Sequence, residues 1–342
     1  MQNNCAVTAE ADSGYSQIPR AVPESPAAQC AESPTPNQGM ASMFLASVWR
    51  LARQPYYWSP ERFFRTVWTV AGNIPTQLKV LRVLSRPAYM RLITVNPRFS
   101  LKFMGVDYLA RGLTIKQRAE SFMHHYRRLP DVFPESSLIR ILLGEILLDE
   151  IREENNRFAI LMGLSRPYDN DGELSLNLEV NGKVAFLFSF TIAPGWVVRS
   201  KAKEVMLISR MHGFRGCYDE VRLATKTLHD IAPPALLFAA LCGVAEAYGV
   251  HEMAGIAAIM KPEFYSHPDD DAQIQEAYDE FFALLGATKG PAGFYQSPLP
   301  PPDRPIKMIK SKKRSAHRRR TAIKRDITQR VYQALCDFRV SS

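Results

Sequence analysis

The stretch Val205–Ala258 carries the residues whose types and spacing best suit chemistry. An apolar run, Val205-Met206-Leu207-Ile208-Ser209, leads into a polar glycine turn, Arg210-Met211-His212-Gly213-Phe214-Arg215-Gly216. A mixed segment to Ile231, a nearly all-apolar helix Pro233–Tyr248, Gly249 and a short run Met253–Ala258 follow. A strand, a glycine turn, a buried helix and a second strand form a frame on which a ligand site can be built. Glycines leave backbone N–H groups accessible, and the guanidinium groups of Arg210 and Arg215 can pair with phosphate oxygens. The chemistry this turn suits is anion binding. Pro233 and Pro234 work against it, because they remove two amides from the first turn of the following helix.

Other reactive residues give weaker patterns. His124 and His125 are adjacent on a predicted helix, where neighbours face apart, so they do not share a metal. His229 and His251 flank the apolar helix as polar end residues. Asp149, Glu150, Glu153 and Glu154 read as a solvated helix end rather than a metal site. Cys217 follows a basic turn without an adjacent base and reads as an inert thiol. No Walker loop, Gly-x-Ser-x-Gly, His-Glu-x-x-His or dinucleotide fingerprint occurs. Five scattered cysteines with no Cys-x-x-Cys pair argue against a disulfide framework and fit a reducing compartment.

The elements that must position these residues follow from periodicity. Residues 1–38 are rich in Pro, Ser, Ala, Asn and Gln and lack periodicity, which predicts a disordered tail. Residues 39–99 form a helical arm with aromatic-rich patterns, Phe44, Val48 and Leu51, then Phe63, Phe64, Val67 and Trp68. An α+β domain spans 100–297. It starts with a strand near Val106–Ala110 and a helix capped by Thr114, with Gln117 at the capping-box position. A second helix runs over Glu135–Glu150. Four strands follow at Arg157–Leu164, Leu174–Val180, Val184–Ala193 and Ala202–Ser209, and Asn181-Gly182 is a strong hairpin signal. After the opening frame, a helix starts at Asp269-Asp270-Asp271 and closes at Gly286, and a last strand covers Ala292–Gln296. A proline linker occupies 298–306 and a basic C-terminal helix 307–342. These elements predict an α+β fold, a mixed, mainly antiparallel sheet flanked by helices.

The net charge of +9 is local. Lys307, Lys310, Lys312, Lys313, Arg314, Arg318, Arg319, Arg320, Lys324 and Arg325 stand together with no acid between 307 and 325. Removing these ten from 43 leaves 33 basic residues against 34 acidic ones. The segment attracts phosphate, whether of anionic lipid or nucleic acid, through Lys312, Lys313, Arg314, Arg318, Arg319 and Arg320. No signal peptide is read, and the most apolar window, Ile231–Val250, holds two prolines and Glu246, so it reads as a buried helix rather than a membrane span. The expected compartment is the cytoplasm, with room for a peripheral position on the inner membrane.

The order of elements over 100–297 resembles the Gcn5-related N-acyltransferase fold, a mixed sheet split to hold an acyl-coenzyme A. Residue by residue, Thr225-Lys226-Thr227-Leu228-His229, the proline-led apolar helix after it and Ser311-Lys312-Lys313-Arg314-Ser315-Ala316-His317-Arg318-Arg319-Arg320 resemble the VirK/YbjX family over about 60–335. That family is associated with bacterial virulence and tolerance of host antimicrobial peptides. The acyltransferase likeness implies an acyl-coenzyme A co-substrate, an amine acceptor and no metal. It implies that Arg210, Gly213, Arg215 and Gly216 hold the diphosphate, with Glu179 or His212 as base and Tyr265 as acid. The chain departs from that family's loop at Arg215, where a small residue is usual, and in the sixteen-residue segment Cys217–Ala232. The alternative is a non-catalytic module that keeps the fold and binds an anionic surface through its basic tail.

Overall fold

A computed structural model describes residue 64, 68–165, 169–261, 276, 278–290, 292–303 and 305–340. Residues 1–38, most of the aromatic pattern up to Val67, Tyr265 and Asp269–Asp271 lie outside the described residues. Helices α1 (Ile74–Val83), α2 (Pro87–Val95), α3 (Ile115–Arg128) and α4 (Glu135–Leu143) come first. Five strands then run as an antiparallel meander: β1 (Glu145–Glu153), β2 (Asn156–Leu164), β3 (Leu174–Val180), β4 (Lys183–Pro194) and β5 (Glu204–Gly213). Two helices, α5 (Tyr218–Thr227) and α6 (Pro233–Tyr248), lead to β6 (Glu252–Ile256), which pairs parallel with β5. A helix over 278–284, α7, precedes the hairpin β7 (Thr288–Lys289) and β8 (Phe294–Pro298). The chain ends in α8 (Arg314–Val340). The sheet order is β1-β2-β3-β4-β5-β6-β8-β7, so β8 enters beside β6 and carries β7 on its outer edge.

Local chemistry sets most boundaries. Thr114 accepts from the Gln117 amide while the Gln117 side chain accepts from the Thr114 amide, a full capping box at the start of α3. Asn181 and Gly182 take φ of 49° and 85°, the left-handed pair that a two-residue hairpin needs. Gly249 ends α6 in the left-handed region with φ 67°.

Two expected elements differ. The helix read over Glu135–Glu150 ends at Leu143, because Gly144 leaves helical geometry at φ −143° and ψ −141°. The next nine residues pair with β2 instead, burying Ile146 and Leu148 on one side of the ribbon. The meander therefore has five strands. Residues 106–110 form turns rather than a strand, with Leu109 at φ 63°.

Helices cover both faces of the sheet. On β4, Phe188 packs on Phe281 of α7, which meets Phe238 of α6. Thr191, of opposite parity, points to the face covered by α3, where His125 receives a hydrogen bond from the Ile192 amide. α1 packs on α3, and α2 on α4. One core joins Val80 of α1, Leu84 just after it, and Tyr89 and Leu92 of α2 to the sheet. Ile327, Val331 and Leu335 of α8 are fully buried in the same core. Each contributes about 1.5–3 kcal/mol by leaving water. Gly243 of α6 admits α8, since a Cβ there would collide with the Thr328 carbonyl.

Candidate functional site

The parallel pair β5–β6 is short. It is held at Met206–Met253, Leu207–Ala254 and Ile208–Gly255. β6 then stops at Ile256, while β5 runs on for five residues beside β4 to Gly213. The departure coincides with a bulge: Phe190 faces Ile208 and Ser189 faces Arg210, which leaves Ser209 as the extra residue. Burial follows. Val205–Ser209 are buried, whereas Arg210, Met211, His212, Gly213 and Phe214 are half-buried. β5 thus loses its β6 neighbour midway along its length.

A loop fills the α3 side of this opening. Gly172 lies so close to the bulge that a Cβ would stand 2.7 Å from Ser209 Oγ and 3.1 Å from Ser189 Cβ, and its φ of 148° suits glycine alone. The Ser209 hydroxyl donates to the Asp171 carbonyl. The Asp171 carboxylate accepts from Arg210 and, at 3.3 Å, from Lys261, whose side chain is wholly buried. Burial pushes the Asp171 pKa up, but Lys261 and Arg210 outweigh it and hold the carboxyl below its ordinary value. Burial, then the nearby Arg210 charge, lowers His212 to about 3, so its imidazole is neutral at physiological pH. Tyr278 of α7 donates to the Ser209 carbonyl at 3.4 Å, reaching the same point from the other side of the sheet.

Beneath this cluster, Glu173 is fully buried. Lys102 Nζ lies 3.2 Å from its carboxylate and donates to the Gly172 carbonyl at 2.8 Å. The Tyr108 hydroxyl donates to Glu173 at 2.5 Å and Tyr126 donates to the other oxygen. Burial raises the Glu173 pKa, against the pull of Lys102 and the two tyrosines. The arrangement couples two buried carboxylates, two lysines, an arginine and a neutral histidine around one strand bulge. Its cations are all committed to the two carboxylates, so the cluster holds the loop against the bulge.

A family model described as Protein of unknown function (DUF535) matches residues 62–333. The chain belongs to the DUF535 family. No curated protein and no solved structure matches it. The DUF535 region includes the whole sheet, the buried cluster and the basic start of α8.

Within the DUF535 region the sequence-predicted residues separate. Arg210 and His212 stand on β5 at the opening, but Arg210 is bound to Asp171. The Arg210–Gly213 part of the expected turn is strand, because Met211 and Gly213 pair with Phe188 and Phe186. The turn itself comes at Phe214–Cys217, where Arg215 and Gly216 are exposed and Gly216 takes φ 73°. It leads into α5, not into α6. Ala232 precedes α6 in extended geometry with Pro233 in the first turn and no side-chain cap. Glu179 lies on β3, separated from His212 by β4, and accepts from Arg157 at 2.7 Å. Tyr265 lies outside the described residues. Lys312, Lys313, Arg314, Arg318 and Arg319 are exposed and Arg320 half-buried at the start of α8. Cys217 donates to the Val184 carbonyl at 3.4 Å, and burial raises its pKa, so it stays a thiol.

Asp171, Glu173, Lys261, Lys102, Tyr108 and Tyr126 were not legible as a site. Tyr126 and Glu173, for one, are 47 residues apart in the chain. Among the described residues no group of three or more His, Cys, Asp and Glu side chains could hold a metal ion. No helix among them is long and apolar enough to cross a membrane.

Proposed function

We propose that this DUF535 protein is an acyl-coenzyme A-dependent N-acyltransferase. The observation that carries the reading is the parting of the parallel strands β5 and β6 at Ile208–Gly255, beside the Ser209 bulge. A split of this kind is what the likeness to the Gcn5-related N-acyltransferase fold implies for the acyl donor. The element order supports it too: an antiparallel meander, a buried helix, a parallel strand, a further helix and a final hairpin.

The thioester supplies an activated acyl group. The acceptor nitrogen attacks its carbonyl carbon, the C–S bond breaks, one proton moves from nitrogen to a base, and the thiolate takes a proton from an acid, the role the likeness implies for Tyr265. His212 is the base candidate that stands at the opening; lowered to about 3, its imidazole takes up a proton only if bound ligand raises its proton affinity. Lys261 and Arg210 supply positive charge near the developing oxyanion. Arg215 and Gly216 are the available ligands for the diphosphate. The likeness to the VirK/YbjX family adds the proposed context: a bacterial protein of the cytoplasm, linked to virulence and antimicrobial-peptide tolerance.

A second reading, a module without turnover whose basic tail binds an anionic surface, is favoured by two observations. Arg210 is engaged by Asp171, and Pro233 and Pro234 donate no amide at the start of α6. Titration calorimetry of the full chain with acetyl- and long-chain acyl-coenzyme A tests both. Saturable heat with thiol release on adding amines supports the enzyme, and saturable heat without release in any amine supports the module. No heat and no thermal shift at millimolar ligand ends the enzyme reading and leaves a module that meets an anionic surface through its basic tail.

A further inference from the structure

The first turns of α8 project beyond the start of α6. Thr328 donates to the Ala239 carbonyl at 2.8 Å and Arg339 to the Ala247 carbonyl, so α8 and α6 lie side by side and run the same way. α6 begins six residues before Ala239, whereas α8 begins fourteen before Thr328. The eight-residue difference carries α8 about 12 Å past the start of α6 at 1.5 Å per residue. α6 passes through Gly249 directly into β6, so its first turn lies at the far end of the sheet, where β5 and β6 part. The projection and the opening share one end of the molecule.

The surface of this projection has a definite chemistry. Lys307, Lys310, Lys312, Lys313, Arg314, Arg318 and Arg319 are all exposed. The ion pair Arg325–Asp303 and the exposed Asp326 stand at its base, and no acid lies among the seven cations. Its lower half is clamped by Ile327, Val331 and Leu335 and by Arg330, which grips Asp149 of β1 at 2.7 and 2.9 Å. Arg314, Arg318 and Arg319 are thus presented by an anchored helix, and Lys307, Lys310, Lys312 and Lys313 by the segment that leads into it. Among them is an apolar contribution. Met308 is 71% exposed, and Ile306 and Ile309 are half-buried on either side of it. A row of phosphates alone gains nothing from an exposed methionine flanked by isoleucines. A bilayer interface takes both the lysines, at its anionic headgroups, and the apolar side chains, at its acyl boundary.

We infer that Ile306–Arg319 is a membrane-docking surface that seats the protein on an anionic bilayer, with the end of the sheet where β5 and β6 part turned toward the lipid. The docking stands independently of acyl transfer.

Co-sedimentation of the full chain with vesicles tests it. Binding is expected to vesicles of phosphatidylcholine with about one third phosphatidylglycerol, to weaken as salt rises, and to be lost on pure phosphatidylcholine. Each lysine near the surface is worth about 1 kcal/mol, so Lys312→Ala with Lys313→Ala lowers partitioning about 30-fold. Met308→Asp lowers it about tenfold by removing the inserted side chain. All these variants should keep the wild-type melting curve, because the anchored half of α8 is untouched. Equal binding to both vesicle types, no binding to either, or no effect of the paired alanines overturns the inference. So does tighter binding to duplex DNA than to the anionic vesicles, unaffected by Met308→Asp, which makes the partner nucleic acid. Vesicle binding without any acyl-coenzyme A heat would leave docking intact and remove only the acyltransferase reading.

Discussion

Two regions of this protein concentrate charge and use it in opposite ways. In the cluster at the Ser209 bulge, Asp171, Lys261, Arg210, Glu173 and Lys102 are withdrawn from water and paired at close range. At the start of α8, the cations stand in solvent and owe their strength to number. A buried ion costs several kcal/mol to desolvate and is tolerated only with a partner in good geometry. An exposed one costs almost nothing and interacts weakly with any single neighbour. Interior charge therefore fixes the shape of the opening, and exterior charge decides what the molecule approaches. The interior cluster should be intolerant of single changes, and the exterior surface tolerant of them in stability but not in association.

The largest effect is expected inside. Lys261→Met leaves Asp171 buried with one partner fewer and should cost about 3–5 kcal/mol in chemical denaturation. A loss below about 1 kcal/mol would mean that water reaches this carboxylate and that the contrast between the regions is false. Next comes Gly255→Ala on β6. A Cβ there collides with the Phe282 ring, so overpacking should cost about 1–3 kcal/mol. It should also shift α7 away from Ser209, read as loss of protection at the β5 amides.

The pH dependence sharpens the same line. His212 is lowered to about 3 in the fold, against 6.5 as the ordinary value. Between these values the unfolded chain binds the proton and the folded one does not, so stability falls as pH drops from about 6.5 toward 3. Glu204 acts in the same direction. Burial raises its carboxyl, but hydrogen bonds from His124 and Arg128 outweigh that and hold it low, so its contribution is lost as pH falls through the folded value. His212→Gln should flatten the urea midpoint against pH over this window, and an unchanged slope would assign the loss to carboxylates alone. The smallest effect is expected outside. Arg318→Ala with Arg319→Ala should change stability by less than about 0.5 kcal/mol while weakening vesicle association.

The sequence made the frame legible where local rules govern. The Thr114–Gln117 box, the Asn181-Gly182 turn, and the helix from Pro233 to Gly249 each depend on residues within one or two turns. β1 was hidden because Leu138, Ile141, Leu142 and Ile146 keep a helical period straight through Gly144. Only the pairing with β2, a tertiary contact, decides the strand. The end of β5 was hidden for a similar reason. Gly213 looks like the turn, yet β4 offers it a partner in Phe186, and the chain stays extended to accept it. The buried cluster was least legible. Lys261 and Asp171 meet across 90 residues, and neither sits in a pattern that marks it as interior. The basic segment was visible as charge. Its division into an anchored half and a projecting half needed the buried Ile327, Val331 and Leu335.

The parting of β5 from β6 is proposed as the ligand cleft. Amide hydrogen exchange on the full chain, with and without saturating acyl-coenzyme A, addresses it at the residues concerned. Added ligand should slow exchange at 209–214 on β5 and at 257–261 after β6, and leave β1 and β2 unchanged. Identical exchange at 209–214 and 257–261 with and without ligand would contradict the claim.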